Sequence, residues 1–337
     1  MKRPFTLLLA TVLLFSFGCE QIDEDYPYSW KPERPMTIIV PWAAGGSTDQ
    51  VTRVAAKELE NALGQTVVIA NQSGASGSIG TRNALRADPD GYTWTSGAAS
   101  SLGTYSVLGL VDTDLDDWHL FLTVANVAVV SVNPDSPYED FGDLLAAMEE
   151  DPRISVATAG TASSGHNVMD LISKTAGVDY RHVSYDGGNP AVISTVSGET
   201  QVTTQLATEQ VEMIRGERLR PLATLSKEPL EIEGYGEIPS IYEWLPDIDY
   251  ATNYFGIWVR KGVPDEVLET MERIWEEQIS NSEELKRYAR QQGAIHTPYY
   301  GEDARERVWE KVKSDAWVLY DSGQAEVSPE ELGIPRP

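Results

Sequence analysis

The stretch with the clearest chemical meaning is Pro41-Trp42-Ala43-Ala44-Gly45-Gly46-Ser47-Thr48-Asp49, which follows the apolar strand Met36–Val40. Gly45 and Gly46 permit a sharp turn and leave backbone N–H groups uncovered. Asp49 is a suitable N-cap for the amphipathic helix expected from Gln50 to Leu63, with Ser47 or Thr48 as substitutes. A helix start with free N–H groups attracts anions through unpaired donors and its dipole. No Gly-Lys pair occurs in the chain, so this is no nucleotide P-loop, and a carboxylate is the more natural guest. The same loop also reads as a plain βα turn.

The elements that would position this loop alternate along the chain. Thr37–Val40, Thr66–Ala70 and Tyr92–Ser96 read as strands, and a second glycine-rich loop, Asn71–Gly80, opens a helix to Arg86. A long buried strand is expected at Val124–Val132, then a helix at Phe141–Glu149 and a strand at Ile154–Ala157. The small-residue loop Gly160–Gly165 leads into a helix at His166–Ala176. Tyr180–Val183 is a strand before Ser184–Asn189, and Pro190 opens the next helix. Gln201–Gln205, Leu222–Leu225 and Tyr254–Val259 read as further strands. Glu266–Ser280, Ser282–Gln292 and Gly301–Tyr320 read as helices. Trp309 and Trp317 on the last helix are read as packing groups. Such βα alternation predicts doubly wound α/β domains with ligands at the carboxyl ends of the strands. Two crossings, near Val127–Val132 and Ala251–Phe255, predict two such domains joined by a two-strand hinge. The expected boundaries are 36–127 plus 255–337 for the first lobe and 128–254 for the second.

Residues 1–18 form a secretory signal, with Lys2 and Arg3 before the apolar run Phe5–Phe17. Gly18 precedes Cys19, the only cysteine, so a lipidated Cys19 is expected to start the mature chain. Ser16 and Phe17 depart from the usual pattern before such a cysteine. Residues 19–35, acidic and proline-rich, read as a tether. The chain carries a net charge of −26; without the first 18 residues, 24 Lys+Arg face 52 Asp+Glu, or −28. That surface repels nucleic acid. No thiolate site remains once Cys19 is used, and neither metal nor cofactor is expected.

The loops Pro41–Asp49, Gly74–Gly80 and Gly160–His166 resemble those of the periplasmic solute receptors of tripartite tricarboxylate transporters. Asp88–Tyr92, Val183–Gly188, Leu219–Ala223 and Phe255–Ile257 extend the similarity, which runs from about Arg34 to Tyr320. The resemblance implies a two-lobed periplasmic-binding-protein fold of type II character. It implies a monomer that captures an organic carboxylate, such as a di- or tricarboxylate, and hands it to a membrane permease with a large and a small subunit. It places one ligand carboxylate between the Trp42–Asp49 loop (Trp42, Ala43, Ala44, Gly45, Gly46, Ser47, Asp49) and the Thr161, Ser163, Ser164, His166 loop. Ser73, Ala98, Tyr185, Asp186, Gly187, Gly188 and Gln205 complete the candidate ligand residues. Two helix starts holding one carboxylate need no arginine, because hydrogen bonds to an ionised acceptor contribute roughly 1.5–3 kcal/mol each. Tyr185-Asp186 stands where Tyr-Lys is common in the family and removes a cation. The hydroxyl-rich run Thr200–Gln205 suits a second carboxylate or hydroxyl better than an ammonium group.

An enzyme is the rival class, but Gly-x-Ser-x-Gly and His-Glu-x-x-His are both absent. Gly74, Gly77 and Gly80 fall at steps of three, which does not fit a dinucleotide fingerprint. A carboxylate sensor, or a receptor for another transporter class, remains open on these residues. The expected location is the periplasm or cell surface, held to a membrane by lipid on Cys19. Cys19→Ala is expected to move the protein from the membrane fraction to the soluble fraction with ligand affinity unchanged; continued membrane association would exclude the lipid anchor.

Overall fold

The computed structural model describes residues 26–161 and 163–337; the signal segment, Cys19 and the first part of the tether lie outside the described residues. In chain order the first lobe opens with β1 (Met36–Val40), α1 (Ser47–Leu63), β2 (Val67–Asn71), α2 (Ser78–Leu85), β3 (Thr93–Ala98), α3 (Ser100–Thr104) and β4 (Trp118–Asn126). A second sheet is then built from β5 (Ala128–Val132), α4 (Phe141–Glu150), β6 (Ser155–Thr158), α5 (Ser164–Ala176) and β7 (Arg181–Ser184). It continues with α6 (Gly188–Val196), β8 (Val202–Leu206), α7 (Ala207–Arg215) and β9 (Arg220–Thr224). A ribbon of β10 (Leu230–Ile232) and β11 (Gly236–Ile238) precedes the return strand β12 (Asn253–Arg260). The chain ends with α8 (Asp265–Glu277), α9 (Glu283–Gln292), β13 (Ala294–His296) and α10 (Gly301–Asp321).

The first sheet has the order β13-β4-β12-β3-β1-β2 and the second β7-β6-β8-β5-β9. Pairing is parallel within the βα units, β1 with β2 and β3, and β6 with β7 and β8. It is antiparallel where crossing strands enter, β12 beside β3 and β4, and β5 beside β8 and β9. Both sheets are therefore mixed α/β layers with ligand loops at the carboxyl ends of their parallel strands.

The single strand expected at Val124–Val132 is in fact two. β4 ends at Asn126 in the first sheet and β5 begins at Ala128 in the second, with Val127 between them. The Val127 carbonyl accepts from the Ala207 N–H at 2.8 Å. Every residue from Leu120 to Val132 is buried, so hydropathy is continuous through the point where the chain changes sheets. At that point Asn126 pairs with Asn253 of the return strand.

The tether is also different from its expectation over its described part. Tyr28 is buried, and its hydroxyl accepts from Gln278 Nε2 at 2.5 Å; the Trp30 N–H donates to Thr270 Oγ1 at 2.9 Å. Trp30 also meets the Tyr92 ring edge-on. Aromatic residues at alternate positions lay residues 26–30 along α8, and proline content alone does not register that.

β12 shifts register against β4 between Phe255 and Gly256. A Cβ at Gly256 would lie 2.2 Å from the Phe121 carbonyl oxygen and 2.8 Å from Leu122 Cα, both backbone atoms that cannot swing aside. Gly256→Ala is therefore expected to cost about 3 kcal/mol of unfolding free energy by forcing two central strands apart. Urea denaturation tests this, and a midpoint equal to wild type would mean the strands absorb the methyl group.

Candidate ligand-binding cleft

α1 begins at Ser47 with Gly46 as its N-cap, one turn earlier than Asp49 would place it. Asp49 instead sits in the first turn and turns back, accepting from the Gly45 N–H at 2.8 Å, Arg53 Nε at 2.9 Å and Asn71 Nδ2 at 3.0 Å. Burial opposes its ionisation, yet these three donors outweigh burial and hold its carboxyl below the ordinary range. Asp49 thus locks the loop and does not face the cleft. Gly45 has φ +82°, while Gly46 is extended at −73°, so only the first glycine needs left-handed backbone. The second glycine loop is the seat of the first. A Cβ at Gly77 would meet the Trp42 ring at 3.0 Å, and one at Gly80 would meet Pro41 Cα at 2.8 Å.

Opposite this loop, Ser163 caps α5, its hydroxyl accepting from the His166 N–H at 3.3 Å. Between the lobes lies an open space of about 30 Å³. Of the sequence candidates, Trp42, Ala43, Gly46, Ser47, Ala98, Ser163, Ser164, Gly188 and Gln205 line it. Gly45 lines an adjoining cavity of about 290 Å³. Gly187 is buried where the two loops touch, 3.1 Å from Ala43 Cβ for an added Cβ. Ala44, Ser73 and Asp186 are exposed, and Thr161 and Tyr185 are half-buried; none of these five lines the cleft space.

His166 points the other way. Its ring stacks on His182 at 4.0 Å between centroids, and its Nε2 lies 3.8 Å from Asp170. The two serines before it make it a cleft candidate, but one helical step turns its side chain to the back of α5. There Asp170 accepts from Tyr180 Oη and from Gln324 Nε2, each at 2.5 Å, and Lys174 pairs with Asp321 at 2.5 Å, tying α5 to the end of α10.

Thr203 and Thr204 are also not available to a ligand. Their hydroxyls donate to the Ala157 and Gly165 carbonyls at 3.1 and 2.9 Å. The case for a second carboxylate drawn from that hydroxyl-rich run therefore fails. Of the run, only Gln205 reaches the cleft.

Thr48, Ser101, Ala159, Asn189, Leu206, Glu209 and Phe255 line the space in addition to the expected residues. Glu209 matters most. It is the N3 residue of α7 and accepts from the Leu206 N–H at that helix's N-cap, half of a capping box. Its Oε1 also reaches across the cleft to the Ser47 N–H at 3.2 Å and the Ser47 hydroxyl at 2.9 Å. With the Gln205 amide oxygen toward the Ala159 N–H, Gln205 Nε2 donates to Glu209 Oε2 at 2.7 Å. Gly188, at the start of α6, has no side chain where a Cβ would lie 2.1 Å from the Glu209 carboxyl carbon. Burial raises the pKa of Glu209 despite these donors. The sequence signal for Glu209 is an acid in the first turn after the carboxyl end of β8, and it is hidden without α7, which the sequence pattern does not predict.

The two sheets, the crossing strands and the cleft define a two-lobed binding protein of the periplasmic type. The chain belongs to the tripartite tricarboxylate transporter family receptors, whose family model matches residues 51–284. It is 31% identical over 247 residues to the UPF0065 protein of the tcbD–tcbE intergenic region of Pseudomonas sp. strain P51, covering 71% of this chain and 72% of that one. Among solved structures it is similar to a periplasmic transporter at 25% identity and TM-score 0.79, covering 86% and 98% of the two chains. The fold is shared with MatC of Rhodopseudomonas palustris, solved with malate bound, at 21% identity and TM-score 0.77, covering 86% and 99%. It is also shared with another R. palustris protein, solved with adipate, at 24% identity and TM-score 0.76, covering 87% and 98%. No helix among the described residues is long and apolar enough to cross a membrane.

Burial lowers the pKa of both His166 and His182 to about 4, and His166 adds to the effect on His182 while Asp170 opposes it. Both rings take protons less readily folded than unfolded. The stability from keeping them neutral is full above the ordinary value of 6.5 and is lost as pH falls toward 4. Asp170, raised by burial, works in the opposite sense at the acid end. Melting temperature is expected to drop between pH 6.5 and 4. His182→Gln should flatten that drop; an unchanged slope in the variant would place its source elsewhere.

Proposed function

We propose that this chain is an extracytoplasmic solute receptor that captures an organic carboxylate between its lobes. It delivers that acid to a membrane permease of the tripartite type and is itself held to the membrane by lipid on Cys19. The observation that carries this reading is the Ser47 contact. The first N–H of α1 and the neighbouring hydroxyl already hold a carboxylate offered by the other lobe. The helix starts at Ser47, Ser164 and Gly188 border the same space, two of them from the second lobe. Such starts leave N–H groups without intrahelical partners, and an anion is their natural complement. Malate and adipate in two proteins of this fold support a small organic acid as the guest.

A space of about 30 Å³ holds roughly two waters, so the described conformation is closed. An organic acid enters by parting the lobes about the crossings at Val127 and Asn253. Binding to the closed form then favours closure because the guest contacts both lobes.

Isothermal titration with di- and tricarboxylates is the direct test. Ser163→Ala is expected to weaken the best of them by roughly 1–3 kcal/mol, the cost of leaving a buried ionised acceptor short of one donor. The unliganded variant should lose only about 1 kcal/mol of stability with the α5 cap. A Ser163→Ala protein that binds as wild type would remove this loop from the site.

A further inference from the structure

Two cavities meet at Glu209. The closed cleft is one; the other, of about 290 Å³, is lined by Gln50, Asn189, Glu209, Glu212 and Gln292 among others. Among the described residues lining either, there is no Arg, Lys or His. The lining charges are the carboxylates of Glu209 and Glu212, so the site as a whole is anionic although its helix starts are built for an anion. Arg53, on the first lobe's loop helix, is engaged by Asp49 and lines neither cavity.

This creates a conflict for a simple carboxylate. A guest carboxylate seated at the start of α1 takes the Ser47 donors that now satisfy Glu209 Oε1. Glu209, half-buried between the two cavities, is then left beside a second anion with no cation among the described residues lining either space. Its remaining partners, the Leu206 N–H and the Gln205 amide, satisfy only part of an ionised carboxylate. Two like charges held together in a narrow cleft oppose each other, whereas a carboxylate facing an opposite charge with shared hydrogen bonds is satisfied. An ammonium group supplies both the charge and up to three donors.

We infer that the guest carries a cationic nitrogen close to its carboxylate, and that Glu209 is the residue that selects it. This rests on the carboxylate reading above. The carboxylate of such a guest sits on the α1 and α5 starts, and its ammonium replaces Ser47 as the partner of Glu209. Ser47, whose N–H and hydroxyl donate to Glu209 Oε1, holds the position that the ammonium takes. Gly188 leaves room for the Glu209 carboxyl, because a Cβ there would lie 2.1 Å from its carboxyl carbon.

The test uses matched acids that differ only at C2. Aspartate, malate and succinate form one set, and 2-aminoadipate, 2-hydroxyadipate and adipate another. Each is titrated by calorimetry into the wild-type protein and Glu209→Gln at neutral pH. The wild type is expected to bind the amino member of at least one set ten-fold or more tighter than its hydroxy and unsubstituted partners. Glu209→Gln should abolish or invert that preference while the variant keeps the wild-type far-UV circular dichroism spectrum. Tight binding of an unsubstituted or hydroxy acid without amino preference overturns this inference and leaves the carboxylate receptor standing. An amino preference that survives Glu209→Gln overturns it as well. Binding of none of the six acids would take down both readings together.

Discussion

The closed form depends on one half-buried carboxylate that faces no cation among the described residues lining the cleft. Glu209 is held by N–H groups, a hydroxyl and an amide, and these come from both lobes. Hydrogen bonds to an ionised group are worth more than neutral ones, and leaving the group unsatisfied would cost several times as much. The surrounding residues follow from that constraint. Gly188 must lack a side chain, Ser47 must sit at the first helical position of α1, and Gly45 must turn the chain so that Ser47 faces outward from its lobe. Asp49 then fixes the loop from behind, drawing on Arg53 and Asn71, so that the Ser47 donors keep their direction.

The crossings supply the second constraint. β4 and β12 lie side by side, and the chain leaves the first sheet at Val127 directly opposite the point where it returns at Asn253. Both asparagines at this step, Asn126 and Asn253, are buried, and Asn253 Nδ2 donates to the Ser164 hydroxyl at the start of α5. The pivot and the ligand loop therefore share a hydrogen bond. A further tie, α5 to the end of α10 through Lys174, Asp170, Asp321 and Gln324, bridges the lobes away from the cleft. Rotation of one lobe has to break or redirect these polar contacts. A carboxylate contact at the mouth and polar links at the pivot together define what the guest must compete with or exploit.

The loops are legible in the sequence because a glycine cluster directly after a short apolar strand marks a βα turn with open backbone. Trp42, Ser47, Ser163 and Gly188 line the space between the lobes. What escapes it depends on direction. His166 and Asp49 sit in the right loops, but the His166 ring turns to the back of α5 onto His182 and the Asp49 carboxyl turns back onto its own loop. No periodicity in seven residues distinguishes the two faces of a helix start. Thr203 and Thr204 read as available because hydroxyls are polar, yet inside a β-strand they are spent on neighbouring carbonyls. Val127 is invisible because burial is continuous across it. Glu209 escapes for a different reason. Ala207–Arg215 follows β8 without an intervening turn signal, which conceals the helix, its N3 acid and the reach of that acid across the cleft.

The whole-chain charge misdirects any argument about the ligand. Taken alone, a net charge of −26 argues against every anion. Many of the acids responsible lie on outer helices in short-range pairs, such as Arg273 with Glu277, Lys286 with Glu283 and Arg287 with Glu284. Exposed pairs of this kind contribute little, and at about 0.15 M salt their field decays over roughly 8 Å. Inside the cleft the screening is weaker and the distances are single hydrogen bonds. One carboxylate there outweighs many distant ones, so what the receptor accepts is decided by Glu209 and the donors around it rather than by the acidic surface.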